Sequence, residues 1–257
     1  MPALLAGFIF CCGFMHTVSG DEKFEVKLLS SYTTYFDGKN EARSHNIRLA
    51  ASKIGGTVIK NGEIFSFNET VGQRTAERGF MRAAIIENGE FVEGVGGGVC
   101  QVSTTLYNAA LLAGCRVVEY HPHSLAVSYV PPSRDAMVSG TFFDLKFKNA
   151  TGSTVYLKAV TGENFVSFKI YGRDFGIKYD LNSSVTGDIP APEEFTDDIA
   201  LVRGGKDGII SEGYLFVTRN GVTRQIFLRR DKYSPQKKIT LKTEDDLIEN
   251  PENNLPF

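Results

Sequence analysis

Cys100 is the residue whose type and position best suit chemistry, because it follows the glycine-rich run Gly94–Gly98 and stands at the start of a predicted helix. Unpaired N–H groups and the positive end of the helix dipole favour a thiolate there, which lowers the pKa of the sulfur. The backbone N–H groups of Cys100 and Gln101 are placed to hold an oxyanion beside it. The position therefore indicates a nucleophile, with an inert buried thiol as the alternative.

A cysteine nucleophile needs a base, and the chain contains four histidines. His16 lies in an apolar N-terminal segment, and His45 lies in the middle of a predicted helix, where a surface or satisfied role is expected. His121 and His123 follow the Cys100 helix and the strand that returns from it. A helix followed by a packed strand brings these ends together, so His123 or His121 is the predicted base.

Other polar residues are candidates to complete the site. Asp135 and Asp144 are the carboxylates that could orient the imidazole, although either could be an ordinary turn or edge charge. Ser103, one turn into the helix, bonds either a substrate or the glycine loop, with helix capping as the alternative. His121 and His123 also allow a metal site, but no other cluster of ligands lies near them, so no metal is predicted.

The glycine run does not indicate a cofactor site. It has valine where the dinucleotide-binding motif requires its last glycine, and it lacks the lysine and hydroxyl residue of a phosphate loop. We therefore predict no cofactor. The net charge of −2, from 28 Lys and Arg against 30 Asp and Glu, also argues against a nucleic-acid partner.

The apolar N-terminal segment predicts export. Residues 3–15 are almost wholly apolar, and this run is short for a membrane span of roughly 20 residues but fits the centre of a secretory signal. No Lys or Arg precedes Lys23, so the usual basic start is missing. We predict that residues 1–20 are an export signal or a short membrane anchor, and that the protein is extracytoplasmic, on the cell surface or secreted.

Export leaves Cys100 and Cys115 outside that segment, and a disulfide is the default expectation there. The helix predicted between them, over residues 101–114, separates them by about 20 Å at 1.5 Å per residue. A disulfide tolerates no more than ~7 Å between Cα atoms. The two cysteines are therefore predicted to stay unpaired, with Cys115 in the core.

Hydrophobic patterning predicts an α+β fold, in which a mixed or antiparallel sheet packs against the Cys100 helix and a second helix, with a small C-terminal all-β appendage. The second helix is predicted over residues 41–54, capped by Asn40 and with an inward face of Ile47, Ala50, Ala51 and Ile54. Turn signals at Asn61-Gly62, around Asn88-Gly89 and at Asn220-Gly221 predict hairpins. Strands are predicted over residues 27–34, 57–60, 63–67, 83–86, 90–92, 116–120, 124–130, 141–148, 154–160, 165–171, 213–219 and 222–230.

The chain divides into four predicted parts. Residues 1–20 are the export segment, and residues 21–180 form the α+β domain. A linker rich in proline, over residues 182–194, opens a small β-module that extends over residues 181–241. Residues 242–257 are predicted to be a disordered acidic tail.

Several blocks of the sequence resemble the VanW family. The most specific is Gly96–Asn108, which reads Gly-Gly-Gly-Val-Cys-Gln-Val-Ser-Thr-Thr-Leu-Tyr-Asn. The C-terminal appendage is similar to the glycine-containing β-module that often follows this domain. The chain departs from the family pattern at Asn61, where proline is common, and at His121-Pro122. The other matching blocks are Gly62–Asn68, Val71–Thr75, His123-Ser124, Arg134-Asp135 and Asp144–Asn149.

The resemblance implies a bacterial surface protein of a family named from glycopeptide-antibiotic resistance clusters. Some members are described as L,D-transpeptidases, which cross-link peptidoglycan stem peptides through a catalytic cysteine. Carried over by motif, the catalytic residues are Cys100 and His123. Arg74 and Arg134 match other polar positions and are candidates for docking a substrate carboxylate, with surface ion pairs as the alternative.

Three functions are consistent with these features. The first is acyl transfer, in which Cys100 attacks a donor stem peptide, expels D-alanine, and passes the acyl group to the amine of a second stem. The second is hydrolysis of the same thioester, as in a carboxypeptidase or endopeptidase. The third is a non-catalytic wall-binding module. The predicted partners are peptidoglycan stem peptides, with membrane anchoring through the N-terminal segment.

Overall fold

The computed structural model describes residues 25–87, 89–140 and 142–242, so the predicted export segment and the tail beyond Lys242 lie outside the described residues. The described chain is α+β with mostly antiparallel strands, as predicted. No helix in these ranges is long and apolar enough to cross a membrane. The helices are α1 (Glu41–Ile54), α2 (Phe67–Val71) and α3 (Val99–Leu112). The strands are β1 (Lys27–Tyr35), β2 (Val58–Ile59), β3 (Ile64–Ser66), β4 (Arg82–Glu87), β5 (Glu90–Val95), β6 (Arg116–Glu119), β7 (Lys146–Lys148), β8 (Val155–Thr161), β9 (Phe165–Gly172), β10 (Lys178–Ile189), β11 (Glu193–Thr196), β12 (Gly208–Arg219), β13 (Val222–Tyr233) and β14 (Lys238–Leu241).

Helix α1 has its predicted bounds because both of its ends carry clear signals. The Asn40 side chain accepts the Arg43 N–H at 3.0 Å, and a cap of this kind contributes about 1 kcal/mol. Gly56, just beyond the helix, adopts φ +91°, which favours glycine. The predicted inward face is fully buried and packs towards α3 and β8; it comprises Ile47, Ala50, Ala51 and Ile54.

Helix α3 lies across β1 and β9 of the main sheet, whose strand order is β1-β9-β8-β2. It is buried on nearly all sides, including its hydroxyl-bearing residues. Such hydroxyls need partners inside the protein. The Thr105 hydroxyl, for example, donates to Gln101 O at 2.6 Å and lies 2.7 Å from Thr34 Oγ1. The sheet thereby fixes the helix whose second residue is Cys100.

The strands on either side of Asn61-Gly62 do not form the predicted hairpin. β2 pairs with β8, whereas β3 pairs with β7 in a second sheet of order β3-β7-β6. Of the two turn residues only Gly62 has a positive φ, and a two-residue Asn-Gly hairpin needs it at both. Asn149 separates the strands, because its side chain donates to Ile59 O at 2.8 Å and its N–H donates to Glu63 O at 2.9 Å.

Residues 121–138, which we call the site loop, form no strand, so the strand predicted over 124–130 is wrong. Prolines 122, 131 and 132 lack the N–H donors that a strand ladder uses. The loop is held by scattered contacts instead: Met137 N–H donates to His121 O and Ser234 N–H donates to Ser124 O, each at 2.7 Å. Its course therefore depends on the elements around it.

The strand predicted over residues 141–148 is shorter than expected and comprises only β7 within the described residues. Residue 141 lies outside them. The Asp144 carboxylate accepts the N–H groups of Leu145 at 2.8 Å and Asn68 at 2.9 Å. These bonds take the place of a strand ladder at Asp144, so regular pairing begins only at Lys146.

The C-terminal module contains a sheet of order β10-β12-β13 and a parallel pair, β11 with β14. Asn220 and Gly221 both adopt positive φ, 51° and 77°, and join β12 to β13 in the predicted hairpin. The linker predicted over residues 182–194 is wrong, because most of it belongs to β10 and β11, and Pro190 and Pro192 lie between these strands. The predicted boundary at residue 181 falls inside β10. The hairpin predicted around Gly89 is confirmed as β4 with β5.

Gly97 allows the glycine run to pack directly on the backbone of β4. A Cβ at Gly97 would lie 2.6 Å from Ala84 O and 2.7 Å from the Ala83 carbonyl carbon, and neither atom can rotate away. Gly98 adopts φ +101° as the residue that caps α3. The run therefore sets the start of α3, and with it Cys100, against the β4–β5 hairpin.

We expect Gly97→Ala to lower the free energy of unfolding by about 1–3 kcal/mol, as overpacking typically does. Gly204→Ala is the matched control, because a Cβ there meets nothing within 4 Å and the φ of Gly204 is not positive. Urea unfolding followed by circular dichroism measures both. Equal stability of the two variants would contradict the close approach of Gly97 to β4.

Candidate active site

Cys100 lies in the first turn of α3, at the loop-to-helix junction that the sequence predicted. Its sulfur is 3.3 Å from Val138 O, at the end of the site loop. Cys100 and Cys115 are both free thiols, as predicted, and Cys115 is buried in the core. Burial raises the pKa of Cys115 to about 12. The two thiols therefore differ strongly in reactivity.

His123 connects Cys100 to Asp135. Its Nδ1 lies 2.6 Å from Asp135 Oδ2, and its backbone N–H donates to the same oxygen at 2.7 Å. His123 is 4% exposed, and its ring interacts electrostatically with Cys100. Because Nδ1 is taken by Asp135, Nε2 is the nitrogen left for the interaction with Cys100. The three side chains thus form a thiol–imidazole–carboxylate series.

The electrostatics of this series favour charge separation. Burial acts to lower the pKa of His123, but its hydrogen bonds to Asp135 and Cys100 and the charges of both raise that pKa to about 9. Burial acts to raise the pKa of Cys100, but the hydrogen bond and charge of His123 outweigh it and lower that pKa. Both shifts favour a thiolate beside an imidazolium over a neutral thiol beside a neutral imidazole.

Side chains of α3 hold the backbone that carries Asp135. Ser103 donates to Ala136 O at 2.6 Å, Thr104 Oγ1 accepts the Ala136 N–H at 2.9 Å, and Asn108 donates to Arg134 O at 2.7 Å. Ser103 also donates to Cys100 O at 3.0 Å and is fully buried. The expectation that Ser103 binds substrate is therefore replaced by a role in fixing the site loop.

The C-terminal module supplies the other partners of Asp135. Tyr233 donates to Asp135 Oδ1 at 2.5 Å and accepts the Ser133 N–H at 2.7 Å. Arg229, 2% exposed, donates to Asp135 O at 2.5 Å and to Asp135 Oδ1 at 3.4 Å, and its Nε donates to Asp231 at 2.6 Å. The predicted appendage is thus part of the site. Sequence reasoning missed Arg229 and Tyr233, which no local pattern marks.

Of the two candidate carboxylates, Asp135 rather than Asp144 orients the imidazole. Asp144 accepts the Ser66 hydroxyl at 2.6 Å and the Asn68 N–H at 2.9 Å, so it stabilises the start of α2. The other two histidines that the structure describes have partners of their own. His121 Nε2 lies 3.1 Å from Glu119 Oε1, and its ring packs on Phe143. His45 Nε2 hydrogen-bonds Gly79 O at 2.9 Å, in agreement with a residue whose polar group has a partner within the protein. The two rings of the predicted His-x-His pair therefore have different partners.

The two candidate arginines have different surroundings. Arg74 lines a groove beside Cys100, where its Nη2 donates to Asn68 Oδ1 at 2.5 Å and burial lowers its pKa. Arg134 does not line the groove: its Nε donates to Asn108 Oδ1 at 3.0 Å and its guanidinium covers the Tyr32 ring. Of these two arginines, only Arg74 lies in the wall of the groove beside Cys100.

The groove has a volume of about 1500 Å³ and contains Cys100 and His123 in its wall. The β4–β5 hairpin, the site loop and the C-terminal module form its sides. Sequence reasoning did not identify Arg43 and Tyr129, which also line it. The groove is lined by, among others, Ile85, Ile86, Phe91, Tyr129, Lys206 and Lys232.

One of the two predicted oxyanion donors is already engaged. The Gln101 N–H donates to Gly98 O at 3.0 Å, which tightens the first turn of α3. No acceptor receives the Cys100 N–H within the described part of the chain. The Cys100 N–H is therefore the backbone donor that remains for an oxyanion beside the sulfur.

We expect Arg229→Met to lower the free energy of unfolding by about 3–5 kcal/mol, because it leaves the buried Asp231 without its cation and removes one of the two cations beside Asp135. Arg230→Met is the matched control from the next position, since Arg230 is exposed and lies 3.8 Å from Glu212. Its effect should stay within about 0.5 kcal/mol. Denaturant unfolding measures both variants, and similar values for the two would contradict a buried charge network.

We expect Asp135→Asn to slow alkylation of Cys100 at pH 6 by about tenfold, because without the ion pair the pKa of the thiol rises above the assay pH, and each unit above that pH is a tenfold loss of thiolate. The loss of the carboxylate lowers the pKa of His123, which then no longer holds a proton beside the sulfur. Mass spectrometry of peptides after iodoacetamide treatment measures labelling at Cys100, with Cys115 as the unreactive internal reference.

Glu119→Gln removes the carboxylate beside the other loop histidine and should leave Cys100 labelling unchanged. Wild-type labelling should be nearly as fast at pH 6 as at pH 8. A wild-type rate that rises tenfold per pH unit over that range would show an ordinary thiol and refute the charge-separated pair.

Residues 42–171 match the family model described as VanW like protein. The uncharacterized protein YoaR of Bacillus subtilis is 44% identical over 146 residues, which cover 57% of this chain and 48% of YoaR. The Vancomycin B-type resistance protein VanW of Enterococcus faecalis is 29% identical over 156 residues, which cover 58% of this chain and 55% of that protein. The chain therefore spans about half the length of these curated relatives.

The crystal structure of HP0197-G5 is 23% identical, with 27% of this chain and 99% of that chain covered, at a TM-score of 0.16. This likeness is too slight to argue from. The family model, in contrast, covers about half of the chain and includes Cys100, His123 and Asp135. This chain belongs to the VanW family.

Proposed function

We propose that this protein is a cysteine acyltransferase of peptidoglycan stem peptides, acting as an L,D-transpeptidase. The observation that carries the proposal is the series Cys100–His123–Asp135 on the wall of a groove of about 1500 Å³. A thiolate next to an imidazolium supplies both a nucleophile and a general acid. A relative named for resistance to vancomycin, a cell-wall antibiotic, supports a substrate in the wall.

In the first step, the Cys100 sulfur attacks the carbonyl carbon of the diamino-acid residue in a donor stem peptide. Electrons move onto the carbonyl oxygen, which lies beside the Cys100 N–H. When the carbonyl re-forms, the C–N bond breaks and His123 gives its proton to the departing D-alanine. The product is a thioester on Cys100.

In the second step, the side-chain amine of another stem peptide attacks the thioester carbonyl. His123 accepts the proton from this amine, and the Cys100 thiolate leaves as the new amide forms. The result is a 3-3 cross-link, with the enzyme restored. Asp135 keeps the His123 ring oriented and stabilises its positive charge through both steps.

We place this activity outside the cytoplasm, at the cell surface or after secretion, because that is where peptidoglycan is cross-linked. The apolar residues 1–20 support this location as an export signal or as a membrane anchor. N-terminal sequencing of protein recovered from cell envelopes distinguishes a removed signal from a retained anchor, and recovery only from the cytosol would contradict the location.

Incubation of the purified protein with a stem tetrapeptide should add the mass of the donor acyl group without D-alanine, as read by intact-mass spectrometry. Cys100→Ser should give no adduct, whereas Cys115→Ser, which changes the buried thiol, should give the wild-type adduct. Product analysis then identifies the acceptor: cross-linked dimers support transfer, and monomers that lack D-alanine show hydrolysis instead. Absence of an adduct with several stem peptides would refute the enzyme and favour a wall-binding module.

A further inference from the structure

Arg43 reaches the groove from the first turn of α1 and is held there by a relay of hydrogen bonds. Its Nη2 donates to Gln101 Oε1 at 2.9 Å. The Gln101 amide nitrogen in turn donates to Thr34 Oγ1 at 3.0 Å and to Tyr35 O at 2.9 Å. The guanidinium is therefore fixed in one orientation by β1 and α3 before any ligand binds.

The second terminal nitrogen of Arg43, Nη1, is buried. It has no hydrogen-bond partner among the residues that the structure describes. The groups whose charges act on Arg43 are Tyr129 and Cys100, and burial lowers the pKa of Arg43. A buried donor without an acceptor is unfavourable and calls for an explanation. A ligand that supplies an anionic oxygen would provide one.

The position of Arg43 indicates which ligand group this is. Arg43, Cys100 and the glycine run all line the groove, the Arg43 side chain lies against Gly98, and Cys100 acts electrostatically on Arg43, so an anion at Nη1 would lie near the carbonyl that Cys100 attacks. A guanidinium is the side chain best suited to a carboxylate. Arg74, the other groove arginine, is already bonded to Asn68 Oδ1 and lies 3.4 Å from Gly140 O.

We propose that Arg43 Nη1 binds the terminal carboxylate of the residue that leaves the donor peptide, so that Arg43 selects substrates ending one residue after the scissile bond. The identity of the donor rests on the proposed function. The binding of a carboxylate next to Cys100 does not, and it can be tested without turnover.

The test compares alkylation of Cys100 by iodoacetate and by iodoacetamide. Both reagents release iodide, but iodoacetate carries a carboxylate where iodoacetamide carries a neutral amide. In the full-length protein, Arg43→Gln should lower the iodoacetate-to-iodoacetamide rate ratio by about tenfold, equivalent to about 1.4 kcal/mol. The rate with iodoacetamide should change by less than about twofold, because the thiolate is held by His123. Peptide mass spectrometry reads labelling at Cys100 alone.

Arg48→Gln is the matched control, since Arg48 is on the same helix, donates to Glu163 O at 3.2 Å and does not line the groove. It should keep the wild-type ratio. Arg43→Lys retains the charge without the planar guanidinium and should give an intermediate ratio. This variant keeps the proposal testable if Arg43→Gln does not fold. An unchanged ratio, or an equal loss with both reagents, would overturn the proposal, because an equal loss means that Arg43 acts only on the thiolate.

A second arm compares stem tetrapeptides that end in a free carboxylate or in a carboxamide. The wild type should form the thioester adduct at least about tenfold faster with the free acid, and Arg43→Gln should lose this preference. Absence of adducts with both peptides, together with the expected reagent ratio, would refute the proposed function and leave the carboxylate site standing. Equal adduct rates with both peptides would refute the assignment of the carboxylate to the leaving residue.

Discussion

The buried carboxylate of Asp135 is the group on which the rest of the site depends. One oxygen accepts the ring and the backbone N–H of His123, and the other accepts Tyr233 and lies near Arg229. A buried carboxylate stays ionised only with such partners, and the His123 bonds and charge, followed by Arg229 and Tyr233, outweigh burial and lower its pKa. The same group therefore raises the pKa of His123 and fixes the two modules against each other.

The need to hold Asp135 in place explains the polar residues of α3. The stretch Gly96–Asn108 looks like a row of catalytic hydroxyls, yet Ser103, Thr104 and Asn108 bond the backbone of the site loop. A loop without a strand ladder needs such partners for its N–H and C=O groups. Cys100, in contrast, lines the groove, and Ser103, Thr104 and Asn108 hold the loop that carries Asp135.

Local signals predicted the fold elements that depend on neighbours in sequence. The Asn40 cap, the inward face of α1 and the Asn220-Gly221 turn are of this kind. The partners of Asp135 depend on contacts that are distant in sequence. Arg229 and Tyr233 lie 94 and 98 positions from Asp135, and both belong to a strand whose residues alternate as in any ordinary strand. The hairpin predicted at Asn61-Gly62 is wrong for the same reason, because Asn149, far along the chain, determines where the two flanking strands pair.

Besides the Asp135 side chain, the main chain anchors the site loop, through contacts with α3 and the C-terminal module at Ser124, Arg134 and Ala136. Its side chains over residues 125–128 line the groove and take no part in these anchors. Sequence divergence at those positions would reshape the surface that a ligand meets while the histidine and aspartate keep their places. Under the proposed function, substrate recognition and catalysis would depend on different atoms of one segment, so recognition could evolve without loss of catalysis.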